Sequence, residues 1–435
     1  MVTTLPAAEW TRREDLAKLV AALGPDQARY VGGAVRDTLL GLPVKDIDLA
    51  TPLEPREVMK RLKAHGIQVV PTGLDHGTVT AVLPGGVVEI TTLRHDISTD
   101  GRRATVAFAE DWREDAARRD FTINALYADP ASGEVFDWFG GLDDLRAGRI
   151  RFIGDARQRI REDHLRILRY FRFQARFGSQ TAEPEAEEAC AELAAMLKGL
   201  SRERVGMETL NLLALPDPAP TVARMAELGV LAVILPEADP AALAALVAEE
   251  QRQRIAPDPL RRLAALLPAD PALAEQVAAR FRLSGAQKKR LALAADRNPD
   301  SPPQRGGAGG GGARPAGPGV SANAEPPPQP LPAGEGLLAR TLAYRHGIAS
   351  ALDRLLIAGA DASPLDGWAI PAFPLKGGDI VARGVKAGPE VARVLRAVEA
   401  QWIAAGFDDA AVARLLSAEL ARSGSSKPPS ARAGA

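Results

Sequence analysis

Apolar and polar positions alternate over short runs in the first third of the chain, and they recur every three to four positions over most of the rest. This predicts an α+β head followed by all-α domains. Strand signals fall at Gln27–Val31, Val44–Ala50 with its clearest run from Ile47, Thr78–Leu83, Val87–Leu93 and Ala125–Ala128. An amphipathic helix is predicted over roughly Glu9–Ala22, and Ala34–Leu40 has helical spacing. The segment Arg94–Arg113 is polar, uneven in period and contains glycine, so it is expected to be a loop. The predicted organisation is a head over 1–145, a neck over 146–200 and a helical body over 201–297, punctuated at Pro216–Pro218. Residues 298–336 are rich in Gly and Pro and cannot bury a core, so they are expected to be a flexible linker. A helical tail over 337–422 and a disordered end over 423–435 complete the division.

The densest chemistry lies in YVGGAVRDTLLGLPVKDIDLAT, residues 30–51. A strand ending at Val31 runs into Gly32 and Gly33, which permit a tight turn and close backbone approach, and then into a helix. A helix start after two glycines offers N–H groups and a positive dipole end to an anion, and Arg36 in the first turn would aim a guanidinium at the same place. After the Gly41-Leu42-Pro43 break, Asp46 and Asp48 stand two apart on a strand and project from one face, where two carboxylates can hold a divalent metal. The segment is expected to be a βαβ-like unit. Alone, a glycine pair before a helix is common and Asp-x-Asp is usually solvated; together, and followed by a strand carrying Glu89, they point to nucleotidyl transfer. Glu89 lies in GGVVEITTLR, where a buried carboxylate would need a charged partner, and a metal ion is the simplest one.

Composition narrows the remainder. With 435 residues the chain is expected to form two to four domains. The single cysteine, Cys190, excludes an intramolecular disulfide and fits a reducing compartment, and a small buried residue is its default role. No signal-peptide pattern or long apolar run is present, so a cytoplasmic protein without a membrane partner, monomeric or homodimeric, is expected. A net charge of −1 argues against a broadly basic RNA-coating protein.

Local charge differs. Between Arg151 and Arg176 there are eight arginines and three acids. Arg166, Arg169, Arg172 and Arg176 would share one helix face, with Leu165, Leu168 and Phe171 on another. Without context this is a solvated basic face. Asp163, three before Arg166, adds an acceptor to a fork-shaped donor on what is predicted to be the same helix, and such a pair can read the edge of a base. RRDFTINAL, from Arg118, places an Arg-Arg-Asp cluster ahead of an apolar strand, either as an ion pair pinning the chain or as a polar ligand site. Gly388-Pro389 could open a helix whose free N–H groups clasp an RNA phosphate, or be a routine helix start.

GGAVRD, DID, GTVTAV, EITTLR, RRDFTINAL and EDHLRILR occur in an order and spacing that resemble the class II tRNA nucleotidyltransferases, the CCA-adding enzymes, which share a catalytic head with bacterial poly(A) polymerases. The match runs from about 28 to 178 and is taken up again in the tail by PLKGGDIVARGVKAGPEVARVLRAVEAQW. The resemblance implies a polymerase-β-like head and template-independent addition of CCA to tRNA from CTP and ATP, with release of pyrophosphate. It implies that Asp46 and Asp48 bind two Mg²⁺, and that Glu89 orients a metal or accepts the hydroxyl proton. Gly33, Arg36, Arg169 and Arg172 would hold the triphosphate. Arg119 and Asp120 would recognise sugar and phosphates, Asn124 would support them, and Asp163 with Arg166 would read the base. The counterpart of the Arg94–Arg113 segment in this family is a flexible loop that helps switch from adding C to adding A. No histidine is needed as a base; His95-Asp96 lies in this head segment, outside any phosphohydrolase domain, and His164 is expected on a helix surface.

Three rivals stand beside this reading. A poly(A) polymerase would carry a basic GRRFR-like strand after the carboxylates, and HGIQVVPTGLDHGTVTAV lacks it. A CC-only or A-only enzyme would share every motif. A non-catalytic RNA-binding relative is disfavoured by intact Asp46, Asp48 and Glu89.

Overall fold

The computed structural model describes residues 3–99, 104–109, 111–179, 182–297 and 334–424. The expected linker therefore lies outside the described residues from 298 to 333, as does the expected disordered end from 425 onward.

Among the described residues nine strands form in the head: β1 (Arg29–Val31), β2 (Ile47–Thr51), β3 (Gln68–Gly73), β4 (Thr78–Leu83), β5 (Gly86–Thr92), β6 (Arg94–Thr99), β7 (Ala104–Phe108), β8 (Leu126–Ala128) and β9 (Val135–Asp137). Seven make one mixed sheet in the order β3-β4-β5-β2-β1-β8-β9. The helices of this region are α1 (Glu14–Leu23), α2 (Gly33–Leu39), α3 (Pro55–Ala64), α4 (Trp112–Ala117), α5 (Gly141–Ala147), α6 (Ala156–Glu162), α7 (Arg166–Phe177), α8 (Pro184–Glu192) and α9 (Arg202–Leu213).

Two expectations change. β1 and β2 pair antiparallel, so the glycine turn and α2 join neighbouring antiparallel strands and are not a βαβ unit; the parallel pair is β2 with β5. Arg94–Thr99 and Ala104–Phe108 are antiparallel strands and not loop, because β6 and β7 satisfy their backbone groups against each other in a separate two-stranded sheet. His95 and Asp96 lie on β6.

The pleat sorts the sheet into two faces. Val79, Ala81, Leu83, Val88 and Ile90 are buried on one face, and α3 contributes Val58 and Leu62 to the core. On the other, the β1–β8 half is covered. Val31, Ala50, Leu93, Ala116, Ala125, Tyr127 and Ile153 form its core, with Trp112, Phe136 and Trp138 packed against it. The β3–β4–β5 half of that face exposes Val70, Val82 and Val87.

The chain divides into two compact units. The first comprises 1–244, 257–259 and 277–283, so the predicted head and neck pack together. Phe121 lies 4.9 Å from Phe152 and 5.1 Å from Phe173, with Tyr170 stacked on Phe152, and these rings join the end of the head to α7. In the second unit Glu250 meets Arg261 and Arg262 at 2.7 Å each, all three buried, and Trp402 packs among Tyr344, Phe373 and Phe407. Among the described residues no helix is long and apolar enough to cross a membrane.

Candidate active site

The site grows from strand register. In the antiparallel β1–β2 pair Tyr30 faces Leu49, so Val31 comes opposite Asp48 and Gly32 opposite Ile47 at the mouth of the turn. Gly32 has φ +70°, a conformation that favours glycine, and a Cβ there would stand 3.3 Å from Arg119 Nη1. Glycine thus lets the Arg119 guanidinium lie against the turn. On the far side of β2 the parallel register puts Asp48 beside Glu89. Asp46 immediately precedes β2, two residues from Asp48.

Electrostatics follow from this crowding. Burial and then Glu89 push the Asp48 carboxyl up to about 6, against an opposing pull from Arg119 that exceeds the further push from Asp46. Asp46 and Glu89 are exposed. The expectation that Glu89 is a buried acid is therefore corrected: its strand is half exposed, and its place beside Asp48, not burial, ties it to the site. Among the described residues no three acidic or histidine side chains converge closely enough to enclose an ion. Clustered hard oxygens still fit a hard divalent cation such as Mg²⁺, which is held by one or two carboxylates and completes its shell with water and substrate phosphates.

Arg119 is fixed from behind. Its Nε donates to Tyr127 Oη at 3.0 Å and its Nη2 to Asp115 at 3.4 Å, while Tyr127 donates to the same carboxylate. Asp120 faces the other way. Its Oδ1 accepts from Asn124 Nδ2 and the Phe121 N–H, each at 2.9 Å, and its Oδ2 accepts from Arg169 at 2.6 and 2.8 Å. Burial raises the Asp120 carboxyl, but Arg169, Asn124 and the N–H together hold it below the usual range.

Asn124 also accepts from Arg36, at 2.5 Å. Arg36 is buried, pairs with Asp37 at 2.7 Å and lies over the Phe177 ring at 4.2 Å, and Arg176 meets Asp37 at 3.4 Å. The reading that Arg36 presents a free guanidinium to an anion is corrected accordingly. Arg36 belongs to a polar chain from Arg169 through Asp120, Asn124 and Asp37 to Arg176, and this chain fastens α7 to the glycine turn.

The expected base-reading pair is also arranged differently. Asp163 is not on the helix of Arg166; it sits in extended backbone (φ −149°, ψ 105°) in the turn between α6 and α7. Its Oδ1 accepts from the Leu165 N–H at 3.1 Å, and its Oδ2 accepts from Arg204 on α9 at 2.7 Å. Arg166 opens α7 and bonds Glu162 at 2.6 Å, the Arg159 carbonyl at 2.9 Å and the Arg118 carbonyl at 3.2 Å. Arg172 meets buried Glu208 of α9 at 2.6 Å, and Arg169 lies 3.8 Å from the same carboxylate. Sequence reading missed Arg204 and Glu208. One turn apart in SRERVGMETL, they gave as their sole signal an i,i+4 pair of opposite charge.

Residues 28–151 match the family model of the poly A polymerase head domain, and residues 181–242 match that of the probable RNA- and SrmB-binding site of polymerase A. The human mitochondrial CCA tRNA nucleotidyltransferase 1 is 46% identical over 190 residues, 43% of this chain and 44% of that protein. The CCA-adding enzyme of Lactiplantibacillus plantarum is 42% identical over 215 residues, 49% of this chain and 51% of that one. The chain thus spans about half the length of the curated relatives it matches. The fold resembles that of the Bacillus stearothermophilus CCA-adding enzyme in complex with CTP, with a TM-score of 0.65 at 24% identity, covering 95% of this chain and 98% of that one. It also resembles that of the Thermotoga maritima CCA-adding enzyme complexed with tRNA, with a TM-score of 0.62 at 19% identity, covering 94% and 98%. The head thus resembles the poly A polymerase head domain, and the fold resembles that of CCA-adding enzymes.

Proposed function

We propose that the protein adds CCA to the 3′ end of tRNA from CTP and ATP, without a nucleic-acid template and with release of pyrophosphate. The observation that carries this reading is the register of Asp48 with Glu89, close to Asp46 and one strand from the Gly32 turn and Arg119. Its support outside the chain is that the human and Lactiplantibacillus plantarum relatives are named for this reaction, while CCA-adding enzymes of the same fold have been solved in complex with CTP and with tRNA.

Asp46 and Asp48 would hold Mg²⁺, with Glu89 beside them; when bound, the ion lowers the pKa of the 3′-hydroxyl and stabilises charge at the α-phosphorus. In the transfer the 3′-oxygen bonds to that phosphorus as the bond to the bridging oxygen breaks. Pyrophosphate leaves with the electron pair, and the hydroxyl proton passes to Glu89 or to water. The Gly32–Gly33 turn and Arg119 would meet the phosphates. Asp120 and Asn124 set the position of Arg169, and Glu208 sets that of Arg172, so these arginines approach the triphosphate from α7.

Selection of C and A follows from an acceptor at Asp163. Cytosine and adenine both present an amino group on the edge where uracil and guanine present a carbonyl oxygen. Arg166 supplies the matching donor if it releases its longest bond, to the Arg118 carbonyl. The hairpin of Gln68–Gly73 and Thr78–Leu83 carries no arginine, which favours tRNA over the poly(A) reading. A single cysteine, buried, fits work in the reducing cytoplasm.

The test uses transcripts ending before CCA, after CC and after CCA, each given one labelled nucleotide. The first should accept C, the second A and the third neither; indifferent incorporation of A would instead indicate a poly(A) polymerase.

A further inference from the structure

Behind the glycine turn stands a carboxylate that the proposed chemistry does not use. Asp115, on α4, is 1% exposed and gathers donors from four residues. Its Oδ1 accepts from Arg118 at 2.8 and 2.9 Å, and from the Arg94 N–H at the start of β6 at 3.3 Å. Its Oδ2 accepts from Tyr127 Oη and from Arg119 Nη2, the latter at 3.4 Å. Tyr127 is fully buried, with the Trp112 ring edge-on at 6.1 Å and the Trp138 ring at 5.4 Å. Its hydroxyl is thereby held where it accepts from Arg119 Nε at 3.0 Å. Burial raises the Asp115 carboxyl, but Arg119, Arg118 and Tyr127 outweigh burial and hold it below the usual range, so it remains an anion at neutral pH.

Arg119 stands between two acids. Its Nη1 lies against Gly32, one strand from Asp48, and Arg119 and Asp48 act on each other through their charges. Among the described residues its ion pair is nevertheless with Asp115 and not with Asp48. Asp48 has no hydrogen-bond donor among those residues, so it would be an open partner for a guanidinium on a long, flexible arm. Such a pair would occupy with N–H groups the oxygens that a divalent cation needs. It would also draw Nη1 away from the turn. The bond from Nη2 to Asp115 is long, and Tyr127 supplies the shorter one to Nε, so the carboxylate holds Arg119 by charge while the phenol sets its direction.

Resting on the function proposed above, we infer that Asp115 is a positioning residue: with Tyr127 it keeps Arg119 off Asp48, which leaves that carboxylate for the metal and the guanidinium for the phosphates of the nucleotide.

The decisive test needs neither metal nor nucleotide. Full-length wild type, Asp48→Asn, Asp115→Asn and the double variant are unfolded thermally in EDTA at pH 7.5. In the wild-type background Asp48→Asn removes a charge without a donor and should raise the melting temperature of the first unit. In the Asp115→Asn background Arg119 turns to Asp48, so the same substitution breaks an ion pair and should lower it, the two shifts differing by about 5 °C or more. Equal shifts in both backgrounds overturn the proposal and make Asp115 a plain structural pin. If Asp115→Asn does not fold, Tyr127→Phe, which frees Nε and keeps the ring, goes through the same cycle; the shifts should then differ in the same direction by about 2 °C, and equal shifts again overturn it. In the transfer assay Asp115→Asn should raise KM for CTP about tenfold and leave KM for tRNA within about twofold, since Arg119 serves one substrate only. Equal rises in both constants also count against the proposal. Should the sign reverse in a chain whose unaltered form incorporates no nucleotide, the restraint on Arg119 stands and only the function fails.

Discussion

Asp48→Asn should make the metal-free protein more stable at neutral pH while ending its activity. Burial beside Glu89 and Asp46 raises the Asp48 carboxyl from 3.8 to about 6, and among the described residues no donor satisfies it by hydrogen bonding. An acid with a raised folded-state pKa is disfavoured as its anion in the native state. The penalty is absent below the unfolded value, grows as pH rises from 3.8 to about 6, and is complete above that. At roughly 1.4 kcal/mol per pKa unit this amounts to on the order of 2–3 kcal/mol. Asparagine occupies nearly the same volume without the charge. Thermal unfolding in EDTA at pH 7.5 should therefore show the first unit of Asp48→Asn melting about 5 °C or more above wild type. The gain should shrink toward zero by about pH 4, where wild-type Asp48 is protonated too. Added Mg²⁺ with CTP should narrow it again, because a cation stabilises the native carboxylate. A variant less stable than wild type at pH 7.5 in EDTA would refute the reasoning, since Asp48 would then be a structural acid with a partner.

Four further outcomes follow. Asp46→Ala should abolish transfer with an unchanged circular dichroism spectrum, and near-normal incorporation would remove Asp46 from the site. Asp163→Ala should let UTP or GTP be used, at a cost of about 1–3 kcal/mol in discrimination, and Arg204→Ala should shift kcat/KM among the four nucleotides in the same direction more weakly; a uniform loss would make the pair structural. Arg36→Ala strips Asp37 and Asn124 of a buried donor and should cost about 3–5 kcal/mol by denaturant unfolding, and a neutral result would contradict its place in the polar chain. Deleting residues 302–332 should leave CCA addition within about threefold of wild type, the outcome expected from a composition so rich in Gly and Pro, and complete loss in a folded variant would assign the segment a role.

The short-range features were legible. Gly32-Gly33, the Asp46-x-Asp48 pair and the strand of Glu89 are written in spacing alone, since the pleat and the helix turn act within a few residues. What depended on distant partners was not. Arg36 looked like an anion ligand because Asn124, which engages it, lies 88 residues away. Asp163 read as helical because no glycine or proline marks the break between α6 and α7, while the Asp163 side chain itself caps the Leu165 N–H and ends the helix. Pro71 and a largely exposed run without alternation hid β3, which takes its place by pairing along β4. Arg94–Thr99 and Ala104–Phe108 looked like loop because they pair outside the main sheet and show no simple alternation.

The central claim is that one carboxylate-lined site adds three defined nucleotides without a template. The most direct measurement gives the full chain a tRNA transcript lacking CCA, with Mg²⁺ and all four nucleoside triphosphates, and sequences the 3′ ends. The account predicts C, C and A added in that order and then a stop, with no addition by Asp48→Ala. A run of A residues, a mixed tail, or equal addition by the Asp48→Ala variant would contradict it.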